Sequence, residues 1–244
     1  MSVVRTYRLL VEWQVRRMRQ FLPLAIVVQS LLALGIVIGY PLLFPKLDPT
    51  TALFLATGAP TVTLILMGLV LVPQAVAQAK AQGTFDYMRT LPVPRLVNLF
   101  ADVTVWLVVI LPGVVFAIAV ATLRFGLALS ISPLVLPGML LVALTATAVG
   151  YALASLLPPM MSGLVTQVLV VFILMFSPLN FPADRLPGWL AALHRVLPIQ
   201  AMGEIVRGTL AGTDFPLQSG SFLLLGAWCV VSFGVAHAVL NRRG

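Results

Sequence analysis

Two histidines, one cysteine and seven carboxylates are all that this 244-residue chain offers for proton, nucleophile or metal chemistry. Their spacing assembles none of it. His194 and His237 belong to no H-E-x-x-H, and the lone Cys229 can build neither a cysteine-rich zinc site nor an intrachain disulfide. An intramembrane serine protease needs a serine–histidine pair beside an oxyanion site. Ser221 and His237 are sixteen residues apart on one helical stretch, about 24 Å by helical rise, so they cannot meet within one chain. A P-loop needs G-x-x-x-x-G-K-[ST], and neither Lys46 nor Lys80 follows a glycine. Both histidines read as interfacial polar residues, and no cofactor is expected on this chain.

The elements that hold these residues explain the poverty. Residues are 60% hydrophobic and only 9% charged, whereas a soluble domain carries about a quarter charged residues. Near 21–40, 52–73, 97–123, 133–157, 161–179 and 221–240 the chain is almost free of charge. A bilayer core about 30 Å thick needs roughly 20 apolar residues as helix, so each stretch is long enough to span it. Backbone polar groups in lipid must be satisfied internally, and the period-2 alternation of a membrane barrel is absent. The expected fold is an all-α, polytopic membrane domain covering 1–244, with six transmembrane helices.

Charge placement orients it. With both termini cytoplasmic and six alternating spans, Arg5, Arg8, Arg16, Arg17, Arg19, Lys80, Arg89, Arg95, Arg242 and Arg243 fall inside. The remaining basic residues share the outer side with Asp48, Asp184, Glu204 and Asp214. This is a positive-inside asymmetry. It makes the high basicity a topology signal with anionic lipid headgroups as partners, and no nucleic acid is implied. The first span lacks a small-x-small cleavage site and reads as a retained signal-anchor.

Ahead of it, residues 1–20 read as an interfacial amphipathic helix. Val4, Tyr7, Val11, Val15 and Met18 form one apolar stripe, and Arg5, Arg8, Glu12, Arg16 and Arg19 form another face. In span one, Gly35 and Gly39 form a G-x-x-x-G pair suited to close packing. Span two is expected to end near Pro73. In span three Arg95, Asn98 and Asp102 share a face, which suggests a structural salt bridge. Spans four and five, joined by a tight turn at 157–163, are expected to be antiparallel neighbours. Span centres hold only mild polar groups, among them Gln29, Thr61, Thr63, Thr166 and Gln167. Helix–helix hydrogen bonds explain these as readily as substrate contacts do. Carboxylates and histidines, which ion-coupled carriers place at the midplane, are missing there.

The gaps between spans are unequal. Segment 78–92 contains Gly83-Thr84-Phe85-Asp86-Tyr87-Met88-Arg89 and then Pro92. Thr84 is placed to cap a short helix whose apolar face carries Phe85 and Met88, and Pro92 stops it. Segment 180–212 suggests two short helices between prolines, with Trp189 at the interface and Glu204 able to pair with Arg207. Such apolar helices are expected to re-enter the outer half of the membrane.

In combination these two gaps resemble those of type-2 ATP-binding-cassette (ABC) exporter permeases. The match rests on Gly83, Thr84 and Pro92 in the inner gap. In the outer gap it rests on Phe181-Pro182, Leu186-Pro187, Trp189-Leu190, Pro198 and Arg207. The resemblance implies a cytoplasmic coupling helix in which Gly83, Thr84, Phe85, Met88, Arg89 and Pro92 meet an ATPase subunit. It also implies extracellular re-entrant helices carrying Trp189, Glu204 and Arg207. The assembly implied is two permease subunits, identical or different, above two ATPase subunits that hold ATP and Mg in a prokaryotic plasma membrane. Gln29, Thr61, Thr63, Thr166 and Gln167 become path-lining candidates, and Gly35 and Gly39 close-packing positions. The expected cargo is a hydrophobic or amphipathic drug-like compound moved outward. The alternatives are a lipid-linked glycan or glycolipid as cargo, or a secondary carrier or channel without ATP. No internal repeat, which a carrier would be expected to show, is visible.

Overall fold

A computed structural model describes residues 3–20, 22–43, 48–83, 95–126 and 129–242, and these contain helices and connecting turns but no strand. The first helix, α1 (Val3–Met18), precedes span one, which is α2 (Leu22–Leu34), a π turn (Gly35–Gly39) and α3 (Tyr40–Leu43). Span two joins α4 (Pro49–Leu66), a second π turn (Met67–Leu71) and α5 (Val72–Ala81). Spans three, four and five are α6 (Arg95–Phe125), α7 (Val135–Leu156) and α8 (Pro159–Phe176). Two short helices, α9 (Gly188–Val196) and α10 (Pro198–Leu210), then lead to span six, α11 (Ser219–Arg242). Six helical stretches are long and apolar enough to cross a membrane.

Span two is the hub. It runs unbroken for 33 residues, from Pro49 to Ala81, about 50 Å by helical rise and well beyond a 30 Å apolar layer. Its start is fixed by Asp48, whose carboxylate accepts from the Thr51 amide at 3.2 Å, with Pro49 in the first turn where no amide partner is needed. The Thr51 hydrogen bonds also hold the Asp48 carboxyl below its ordinary pKa. The expected end at Pro73 is wrong. A proline within a helix lacks the amide and crowds the carbonyl four residues back. Here a π turn immediately precedes it, and such a turn rearranges that hydrogen-bond ladder. The helix therefore continues to Ala81, with Gln74 and Gln78 exposed along it.

Spans three, four and five and α10 all pack around span two. The main core joins Leu55, Ala59, Val62 and Leu66 of α4 to Val142 and Ala146 of α7 and to Met202 and Ile205 of α10. Glycine sets the tightest contact. A Cβ on Gly150 of α7 would lie 2.0 Å from the Gly68 carbonyl oxygen, so the two backbones touch. By contrast, spans one, five and six leave most of their surface open.

Neighbours in sequence are not always neighbours in space. α8 packs chiefly against α5 and the π turn above it, while α7 packs chiefly against α11. Spans four and five are thus not the close antiparallel pair expected. Only Leu157 and Pro158, both extended, separate them, and the chain leaves the turn toward span two. The stripe expected on α1 is also shifted. Leu10 and Gln14 are buried, with Tyr7, Val11 and Met18 partly so, whereas Val4 is 77% and Val15 40% exposed. Tyr7 makes the difference, because its hydroxyl bonds Thr104 Oγ1 at 2.7 Å and turns that edge of α1 onto α6. The Arg95 side chain lies outside the described residues; the charge that acts on Asp102 is Arg17 of α1.

Candidate functional site

Two polar constellations stand at opposite ends of the bundle. At the end that carries α1, Lys80 closes span two. Its Nζ donates to the carbonyls of Ala154, Ser155 and Leu157 at 2.5, 3.3 and 3.3 Å. The last carbonyls of a helix lack intrahelical donors and carry the negative end of its dipole, so an ammonium there satisfies both needs. Lys80 thus ties the end of span two to the span four–five turn. Three residues on, Gly83 adopts φ +71°, and its amide bonds the Lys80 carbonyl at 3.2 Å. That left-handed conformation suits glycine and ends the helix. Thr84, Phe85, Met88, Arg89 and Pro92 lie outside the described residues.

At the other end, Arg207 is buried on α10. Its guanidinium carbon lies 3.9 Å from the Phe54 ring centroid and 5.4 Å from that of Phe215, and Nη2 donates to the Leu179 carbonyl at 2.9 Å. Phe54 and Phe215 themselves meet edge to face at 5.2 Å. Burial lowers the Arg207 pKa to about 10, with the Glu204 charge opposing the shift, so the side chain stays cationic at neutral pH. A desolvated cation–π contact is worth about 2 kcal/mol, and a hydrogen bond from a charged donor about as much.

The expected Glu204–Arg207 ion pair does not form. Glu204 Oε1 accepts from Gln200 Nε2 at 2.8 Å and Oε2 from Ser221 Oγ at 2.5 Å, which ties α10 to the first turn of α11. Arg207 turns instead toward span two. There Gly58 leaves room for residues 179–180, since a Cβ would sit 2.3 Å from Asn180 Oδ1 and 2.8 Å from the Leu179 carbonyl oxygen. Ser132 and Thr213 complete the anchorage. The Ser132 amide donates to the Thr209 carbonyl at 2.8 Å, and the Thr213 amide to Ser130 Oγ at 3.1 Å.

α9 divides differently from the expected face. Leu190 and His194, one turn apart, are buried, while Trp189 is 72% exposed. His194 is therefore not an interfacial residue. Its Nε2 lies 3.0 Å from the Phe176 carbonyl oxygen, an acceptor at the end of α8, and its ring stacks on Phe172 at 5.5 Å between centroids. Burial lowers its pKa below the usual histidine value, while the Phe176 contact opposes that shift. The neutral ring then donates through Nε2–H. Trp228 Nε1 donates to the Val196 carbonyl at 2.9 Å and holds the end of α9 against span six.

The mid-span polar residues occupy several settings. Gln29 is fully buried, with Nε2 donating to the Val109 carbonyl at 3.2 Å. Gly113 admits it, since a Cβ there would lie 1.8 Å from Gln29 Oε1. Thr61, Thr63 and Thr166 are enclosed and return their hydroxyls to the carbonyls of Thr57, Ala59 and Gly163. Gln167 is exposed on α8. Around Gly35 and Gly39 no atom lies within 4 Å of a built Cβ, so neither packs closely within the subunit.

Sequence reading missed Lys80 as a clasp, although a lone lysine four residues from a terminal amide-rich turn suits a helix end. It also missed Phe54 and Phe215, for which no local signal exists because the partners are remote in sequence. Among the described residues, no three or more His, Cys, Asp or Glu side chains gather closely enough to hold a metal ion.

No curated protein matches the chain. The family model described as "ABC-2 type transporter" matches residues 7–211, which takes in α1, all of spans one to five and the paired helices α9 and α10. The chain therefore belongs to the ABC-2 type transporter membrane family and is the multi-pass transmembrane component of an ABC-type transporter, whose ATPase lies in a partner.

Proposed function

We propose that this permease exports a hydrophobic or amphipathic, drug-like compound across a prokaryotic plasma membrane, with both termini cytoplasmic and ATP hydrolysed on separate subunits. Two permease subunits stand above two ATPases, and Gly35 and Gly39, open within one subunit, are available to the contact between permeases. The exposed surfaces of spans one and five support an apolar cargo: Leu24, Val27 and Leu31 on α2, and Leu164, Val168 and Met175 on α8, carry no charge. Gln167 supplies a polar group on the same span.

The observation that carries the reading is the construction of span two. The hub of the bundle ends in the Lys80 clasp and the Gly83 turn, directly before segment 84–92. A displacement of that segment by an ATPase would reach the span four–five turn through Lys80 and the core through span two. Alternating access then follows if nucleotide state favours one arrangement of these spans over another.

The test is co-purification with the ATPase encoded beside it, using Phe85→Asp and Met88→Asp together. The expected result is loss of assembly and of permease-dependent ATPase activity. If both persist unchanged, the coupling assignment is overturned.

A further inference from the structure

The helix before span one carries an arrangement that transport coupling does not use. α1 touches α6 at two points. Tyr7 bonds Thr104 near the start of the helix, and Arg17 acts on Asp102 near its end. Ten residues of α1 cover about 15 Å, whereas residues 102 and 104 differ by only about 3 Å along α6. α1 therefore crosses α6 steeply. Because α6 spans the apolar layer from Phe100 onward, α1 runs along the membrane plane at the level of its first turns.

The face turned away from α6 is basic. Residues 3–20 hold five arginines and one glutamate, Glu12, which pairs with Arg16 at 2.7 Å. Arg8, Arg16 and Arg19 are exposed opposite the buried Leu10 and Gln14. Beside them Trp13 and Leu9 are 41% and 48% exposed, and the Arg17 guanidinium lies 5.6 Å from the Trp13 ring centroid. An indole flanked by guanidinium groups, on a helix in the membrane plane, matches the depth and charge of an anionic headgroup layer.

We propose that α1 is a binding surface for anionic phospholipid headgroups, with Arg8, Arg16 and Arg19 facing the phosphates and Trp13 seated among the acyl-chain ends. The arginines then do more than orient the chain during insertion: they select the lipid that surrounds span one. Each arginine is expected to contribute on the order of fivefold to lipid preference.

The experiment uses the full chain in nanodiscs of phosphatidylcholine mixed with phosphatidylglycerol, with bromine on the acyl chains of one lipid or the other. The expected result is that brominated phosphatidylglycerol quenches the fluorescence lost in Trp13→Phe more strongly than brominated phosphatidylcholine does. That excess should fall with added salt and in the triple variant Arg8→Gln/Arg16→Gln/Arg19→Gln, and persist in the matching triple lysine variant. If the glutamine variant inserts wrongly, the salt titration of the unsubstituted chain decides the question. Equal quenching by the two lipids at low salt overturns the proposal and leaves the basic face to an acidic protein partner.

Discussion

Gly150 and Gly68 bring the backbones of spans four and two into contact: a Cβ on Gly150 would lie 2.0 Å from the Gly68 carbonyl oxygen. The obstacle is backbone, so no side-chain rotation relieves it. Gly150→Ala is expected to force the helices apart and destabilise the subunit by about 1–3 kcal/mol. Gly68→Ala should act similarly, because its Cβ would lie 2.5 Å from both the backbone carbon and the Cβ of Ala146. Gly226→Ala, with nothing within 4 Å, is the control and should leave the melting temperature near the original value. Thermal unfolding in detergent, followed by loss of the monodisperse peak, checks all three.

Arg207 links α10 to span two through a ring face and a carbonyl, and these have different requirements. Lysine keeps the charge but cannot reproduce a planar group that stacks on Phe54 while donating sideways to Leu179. Arg207→Lys is therefore expected to destabilise by about 2 kcal/mol, and Arg207→Ala by about 3–5 kcal/mol because Leu179 also loses its donor. Phe54→Leu retains bulk but removes the ring, and should cost about 1–2 kcal/mol. In a double-mutant cycle, Arg207→Lys and Phe54→Leu should fall short of additivity. Strict additivity would show that the stack contributes nothing.

The six spans were legible because transfer of apolar residues to lipid depends on composition over a window, which the sequence displays directly. Span two's continuation past Pro73 was not legible, because it depends on a π turn that no residue type announces. The shift of the α1 stripe has the same origin in tertiary contact, since Tyr7 finds Thr104 ninety-seven residues away. Arg207 was visible as a conspicuous charge in an apolar segment. Its partners were not, because proximity in sequence favoured Glu204 while the fold offered Phe54 and the Leu179 carbonyl. His194 was misjudged for a related reason: helical spacing gave a face containing Leu190, and burial of the adjoining ring depended on the end of α8 lying beside it.

His194 gives the far end of the bundle a defined pH response. Burial lowers its pKa in the folded chain relative to the ordinary histidine value. The fold therefore favours the neutral imidazole, and this contribution is intact above the unfolded pKa. It is lost as pH falls through the lower folded value, where both states become protonated and the folded one must hold a charge in an enclosed site. His194→Gln keeps a donor for the Phe176 carbonyl but does not titrate; its loss of stacking on Phe172 should lower stability at all pH values by about 1 kcal/mol. On acidification from about pH 7.5 to about pH 5, the melting temperature of the unsubstituted chain should fall further than that of the glutamine variant. The difference between the two curves isolates the histidine from the carboxylates they share. Parallel curves would mean that the imidazole is solvated well enough in the fold to accept its proton without penalty.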